Sequence, residues 1–302
     1  MISSFSIILE NDILYCSDDK KYNAFEVLLF VEKLLRSINP RNTWRLKKIC
    51  LKHKKHARER VIVEHVVTKA GQNLFFCCIG NFSVGSLESF KMLKEFSKQV
   101  NVQYNDLDRL KYSSEEPTFK NVINLITDYL KDKYLDPLEE EKIYKKNEKN
   151  GRNAILYAGI SAQGLPIISQ LFDIGLLSNL KRDKTNENIE LFSSDLSAKL
   201  ATISMNTQIR AKTKIKEIHI EDTEGITENN NKKIILFGNI NGYSIDFIAT
   251  GNFYKVKAIF QQFKSKMALD SAFREEFSGD LRPFRHLKHY LDEVVKNFDQ
   301  ID

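Results

Sequence analysis

No run of apolar residues in this 302-residue chain approaches the length of a membrane span, which needs about 18–20 in a row. Cysteine is scarce: Cys16, Cys50, Cys77 and Cys78 are the whole complement, and no two stand as Cys-x-x-Cys. Paired-cysteine metal and redox chemistry therefore has no footing, and the four are read as reduced core residues of a cytoplasmic protein. No basic segment precedes the first apolar run, and Glu10, Asn11 and Asp12 break it, so no secretory signal is expected. Met1-Ile2 is not a myristoylation start. Neither Gly-x-Ser-x-Gly nor His-Glu-x-x-His occurs. Gly159 and Gly164 have the spacing of a P-loop, but Leu165-Pro166 stands where lysine and a hydroxyl residue would meet phosphate and magnesium. A β-hairpin turn is expected there. His53/His56 and His286/His289 are His-x-x-His pairs without an obvious third ligand, set among basic residues. They read as surface histidines. The sequence thus predicts no catalytic residues, no metal and no cofactor.

What is present is an ordinary core supply, 42% hydrophobic against 28% charged, in a chain long enough for two domains. The net charge of +6 is uneven, because residues 41–60 hold nine basic residues against Glu59 alone. These are Arg41, Arg45, Lys47, Lys48, Lys52, Lys54, Lys55, Arg58 and Arg60. Such a run suits an anionic membrane surface or nucleic acid, or is simply a solvated loop. Trp44 is the one ring of the stacking type there and reads equally as core, and the second half of the chain adds no basic face. Both facts weigh against nucleic acid.

The patterning repeats. In the first half, residues 5–9 and 13–16 read as a hairpin, and Ala24, Val27, Leu28, Val31, Leu34, Leu35 and Ile38 form one helical stripe. Strand patterns follow at 46–51, 61–67 and 74–79, then helices at 87–100 and from Pro117 to about 134. The second half reads as strands at 155–158 and 165–172 (the latter equally the start of a helix) and a helix from a Ser193-Ser194-Asp195 cap to about 207. Strands at 215–220, 234–240 and 243–249 follow, with Asn241-Gly242 as a hairpin turn, then helices at 256–267 and after Pro283. Residues 222–231 read as a loop. Each half is β-β-α-β-β-β-α-α, and Gly80-Asn81-Phe82 and Gly251-Asn252-Phe253 both end a strand ahead of a helix. Residues 136–151 are charged, without an apolar face, and read as a linker between domains at 1–135 and 152–302.

The element order resembles the longin fold, so an α/β (α+β) protein of two longin-like domains is expected, each a five-stranded antiparallel sheet in strand order 2-1-5-4-3. What the resemblance implies is a non-enzymatic scaffold or regulator of vesicle trafficking that binds a small Ras/Rab/Arf-type GTPase, with an exchange-factor-like subunit as one form. It also implies a second longin or roadblock subunit as a candidate partner. The alternatives are a trafficking adaptor held on anionic membrane by residues 41–60, and a nucleic-acid-binding protein.

The first helix of each half supplies candidate partner-binding residues. Phe25, Leu29 and Phe30 lie outside the core stripe of the first as a bulky ridge. Ser197, Ala198, Ala201 and Met205, opposite Leu196, Leu200, Ile203 and Thr207, form a smooth strip on the second. A ridge and a smooth strip can pack. The expectation is a platform of paired first helices on which a partner lands.

Overall fold

The computed structural model describes residues 2–39, 41, 43–52, 58–83, 86–104, 106–135, 153–177, 185–223 and 232–298. The chain is mixed α/β and divides into two compact units, Met1–Leu29 with Leu46–Lys146, and Phe30–Arg45 with Asn147–Asp302. The division falls inside helix α1 (Tyr22–Ile38) and inside strand β3 (Trp44–Lys52). The expected linker at 136–151 lies outside the described residues.

In the first unit β1 (Ile2–Leu9), β2 (Asp12–Cys16), β3, β4 (Arg58–Val67) and β5 (Asn73–Gly80) run in the order β2-β1-β5-β4-β3. Every pairing among them is antiparallel. This is the order expected. Helices α2 (Leu87–Tyr104), α3 (Leu110–Ser114) and α4 (Phe119–Lys133) share one face of the sheet. Phe5, Ile7 and Leu9 of β1 and Phe76 and Cys78 of β5 meet Met92, Phe96, Val100, Ile123 and Leu130 there, with Phe96 edge-on to Phe5 and Phe76. The alternate residues Ile8, Phe75, Cys77, Val61 and Val63 are equally buried, so both faces of the sheet are covered. The α1 stripe is buried at Ala24, Val27, Leu28, Val31, Leu35 and Ile38, while Leu34 is half-buried.

The second unit repeats the scheme. Strands β6 (Ala154–Ala162), β7 (Leu165–Leu171), β8 (Lys214–Asp222), β9 (Lys232–Ile240) and β10 (Tyr243–Thr250) are ordered β8-β9-β10-β6-β7, again antiparallel throughout. Read from the first strand of the unit, this too is 2-1-5-4-3, and β5 and β10 hold the same central place. Helix α5 (Asn186–Ala211) covers one face; α6 (Phe253–Leu269) and α7 (Leu287–Phe298) cover the other. Neighbouring residues of β10 show the two faces. Phe247 packs on Phe260 and Phe263 of α6, whereas Asp246 points to the α5 side. Lys266 of α6 and Glu293 of α7 are joined at 2.6 Å.

Several local readings change. Helix α5 begins two turns before Ser193, at Asn186, because Thr185 caps it by accepting from the Asn188 amide at 3.3 Å. Ser193 is therefore inside the helix and buried. The polar segment before Pro117 contains α3. Pro283 sits in a short 3-10 turn, and α7 starts only at Leu287. The repeated Gly-Asn-Phe differs in use: Asn252 caps α6 directly, accepting from the Tyr254 and Lys255 amides, whereas α2 begins six residues beyond Asn81 behind Ser86. Asn241 and Gly242 have φ of +46° and +91°, as a type I′ hairpin turn requires. Gln163 and Gly164 form the same turn, with φ of +50° and +84°, so the P-loop-like glycines belong to the β6–β7 hairpin. Asp222 ends β8, and residues 224–231 lie outside the described set.

Candidate functional site

The long helix α5 is the element around which the candidate residues gather. Its inner face, Leu196, Leu200, Ile203 and Thr207, is buried as expected. Of the expected partner strip, Ser197 and Ala201 are also buried, Ala198 is half-buried and Met205 is exposed. On the α1 side Phe25 is buried, and Leu29 and Phe30 are half-buried. Within the second unit, the Arg210 guanidinium carbon lies 5.5 Å from the centre of the Phe30 ring, and Lys199 Nζ donates to the Ser37 carbonyl at 3.1 Å. Residues 30–38 of α1 thus lie along α5, and the bulky part of the ridge is engaged in the chain itself.

The outermost face of α5 is different. Leu191, Ala198, Thr202, Met205 and Ile209 fall on one stripe at helical spacing, with Leu191 56% and Ile209 70% exposed. The stripe runs for about 27 Å at 1.5 Å per residue.

Behind α5 lies a group that no motif announced. Asp246 of β10 is opposite Gly159 of β6 and fully buried, and neither carboxyl oxygen has a hydrogen-bond partner among the described residues. Tyr157, two residues before Gly159 and on the same face, brings its hydroxyl beside the carboxyl and beside Ser197. Asp246 and Ser197 act on the Tyr157 proton and Tyr157 acts on that of Asp246, yet none of the three makes an aligned hydrogen bond with a described residue. Ser161 and Ser193 add two more buried hydroxyls without a partner among the described residues. Burial pushes the Asp246 carboxyl up to about 8, outweighing the lowering by the Tyr157 hydroxyl, so it is a neutral acid at pH 7. Burial, and then the Asp246 charge, push the Tyr157 phenol up as well. A sealed, neutral carboxyl can hold a proton and donate a hydrogen bond, but it cannot reach a substrate in solution. A signal for it does exist in the sequence, since Asp246 is a lone charge inside the apolar run Ile245–Ala249.

Gly159 makes room for this arrangement. A methyl group there would lie 2.2 Å from the Tyr157 hydroxyl and 2.8 Å from an Asp246 oxygen. Gly159→Ala should therefore cost about 2 kcal/mol, as overpacking of a filled core does. Urea titration checks this; an unchanged midpoint would mean that Tyr157 moves aside freely.

The basic run is not one surface. Arg41 and Arg58 are exposed, Arg45, Lys47 and Lys52 half-buried, and Lys48 and Arg60 buried. Arg60 donates to the Phe82 carbonyl. Lys54 and Lys55, with His53 and His56, lie outside the described residues. Trp44 is core: its indole donates to Asp222 at 3.2 Å, and Asp222 also holds Lys233 at 2.6 Å. His286 pairs with Asp270 at 2.6 Å. Cys50, Cys77 and Cys78 are buried free thiols, and Cys16 is half-buried. Among the described residues no three His, Cys, Asp or Glu side chains are grouped to hold a metal, and no helix is long and apolar enough to cross a membrane. No family model matches the chain, and the search of curated proteins finds no match either.

Proposed function

We propose that the chain is a non-enzymatic scaffold or regulator built from two longin-like domains, and that it binds a small GTPase of the Ras/Rab/Arf type, with exchange-factor-like action as one form. The observation that carries this reading is the recurrence of one layout. Both units have the strand order 2-1-5-4-3, and the helix that follows the second strand precedes the third in each. In the second unit that helix covers the face of the sheet opposite α6 and α7. Fold alone does not fix function, so the partner class comes from the resemblance, and the landing surface comes from the geometry. With Ser197 and Ala201 buried, the accessible part of the expected strip is Ala198 and Met205, extended along α5 by Leu191 and Ile209. The burial of Lys48 and Arg60 leaves less of residues 41–60 for a membrane.

Binding to a panel of small GTPases in nucleotide-free, GDP and GTP states tests the reading. Leu191→Asp with Ile209→Asp should weaken binding at least ten-fold, the size of a lost interface anchor, with an unchanged melting temperature because both side chains are exposed. Absence of binding to every GTPase, or equal binding by the variant, would overturn it.

A further inference from the structure

We propose that the groove between α2 and α4 of the first unit binds an acidic, amphipathic peptide segment of a partner protein. The groove has a volume of about 640 Å³ and is lined by Lys94, Glu95, Lys98, Gln99, Val102 and Ile126 among others. Its apolar part is open: Val102 is 65% exposed, and Leu125, beside Ile126 on α4, is 73% exposed. Of the lining, Val102 on α2 and the half-buried Ile126 on α4 are the anchor positions for a helix laid in the groove, and Leu125 adds an exposed hydrophobe on α4 outside it.

Its charge selects the partner. Glu95 is the single acid of the lining, and it is already saturated. It accepts from Lys133 at 2.7 and 2.8 Å, from the Tyr134 hydroxyl at 2.8 Å and from Gln99 at 3.2 Å. Burial works to raise its carboxyl, but these donors hold it below the usual range, so it stays ionised and neutralised by Lys133. Lys94 and Lys98 make no ion pair with any described residue and stand one turn apart on the rim of α2. An acid pair at i and i+4 of a bound helix would match that spacing. From Lys94 to Val102 the rim covers about 12 Å, two turns of such a helix. Gln99 and Gln103 offer amides that a polypeptide can hydrogen-bond and an acyl chain would leave unpaired. The chain's own charge of +6 opposes a second copy as the occupant.

The test is titration of a fluorescent peptide of about 16 residues, with Glu and Leu at i, i+3 and i+4 spacing, into the full chain. Saturable binding is expected, weakened at least ten-fold by Lys94→Glu with Lys98→Glu and also by Val102→Asp. Raising salt from about 0.05 to 0.3 M should weaken it too, because exposed charges are screened over that range. All three substituted side chains are exposed, and melting temperatures confirm that the variants fold. No binding, or binding equal in the variants or for a peptide with Gln in place of Glu, would overturn the proposal. So would binding of phosphatidylserine vesicles but not peptide, or self-association that the lysine variants abolish. Leu191→Asp with Ile209→Asp should leave peptide binding unchanged, which separates this groove from the surface of α5.

Discussion

Replacing Asp246 by Asn should stabilise the protein, by about 4 kcal/mol at pH 7. The carboxyl titrates near 8 in the folded chain and near 3.8 when exposed. Below about pH 4 it is protonated in both states and contributes nothing. Between about pH 4 and 8 the unfolded chain releases the proton and the folded chain keeps it, so folding stability falls by about 1.4 kcal/mol per pH unit. Above about pH 8 both forms ionise and the loss levels off. Asn carries no such titration. The variant's advantage should be small at pH 4 and grow to a plateau near pH 8, measured by urea unfolding followed by circular dichroism. A variant less stable at pH 7 would show that Asp246 is ionised and paired in the folded protein, and an advantage independent of pH would show that folding leaves its proton affinity unchanged.

Glu217 should behave in the opposite sense. It is buried in β8, and burial alone would raise its carboxyl, but His219 and Lys257 outweigh that and hold it at about 2. Lys257 Nζ is 2.9 Å from one oxygen and His219 Nε2 is 3.5 Å from the other. A depressed carboxylate contributes stability that is fully present above its unfolded value of 4.5 and is lost as pH falls toward 2. Glu217→Gln should thus cost about 3 kcal/mol at neutral pH, in the range for removing one partner of a buried pair. The difference from the parent should shrink between about pH 4.5 and 2 and vanish below. Acid titration of both proteins, followed by the same unfolding signal, checks this. A cost that persists undiminished at pH 2 would mean that the loss is packing and not charge.

Much of the fold was legible in the residues because its signals are local. The short apolar run at 74–79, the alternation at 215–220, the helical stripe of α1 and the Asn241-Gly242 turn each specify an element within a few residues. Their repetition carried the strand order of both units. The start of α5 was less legible, because residues 186–192 mix Asn and Glu with Ile, Leu and Phe, and Ser193-Ser194-Asp195 has the composition of a cap. Cap residues are recognised by what their side chains accept, and only Thr185 is placed to do so.

The side-chain sites were decided by tertiary structure. Alternation tells inside from outside only when one face of a sheet meets water. Here both faces are covered, so Lys48, Arg60 and Glu217 are buried in strands where alternation marks no inner face, and only Asp246, alone among apolar neighbours, carried a sign of its burial. Tyr157, Ser197 and Asp246 come from three elements and meet only because strand register sets Asp246 opposite Gly159 and α5 lies across that face. The sequence by itself determined the element types and the repeat, which depend on propensity and period. Which charges are buried, which part of the α5 strip remains open, and which proton is held all depend on register and layering, and those exist only once the strands are paired.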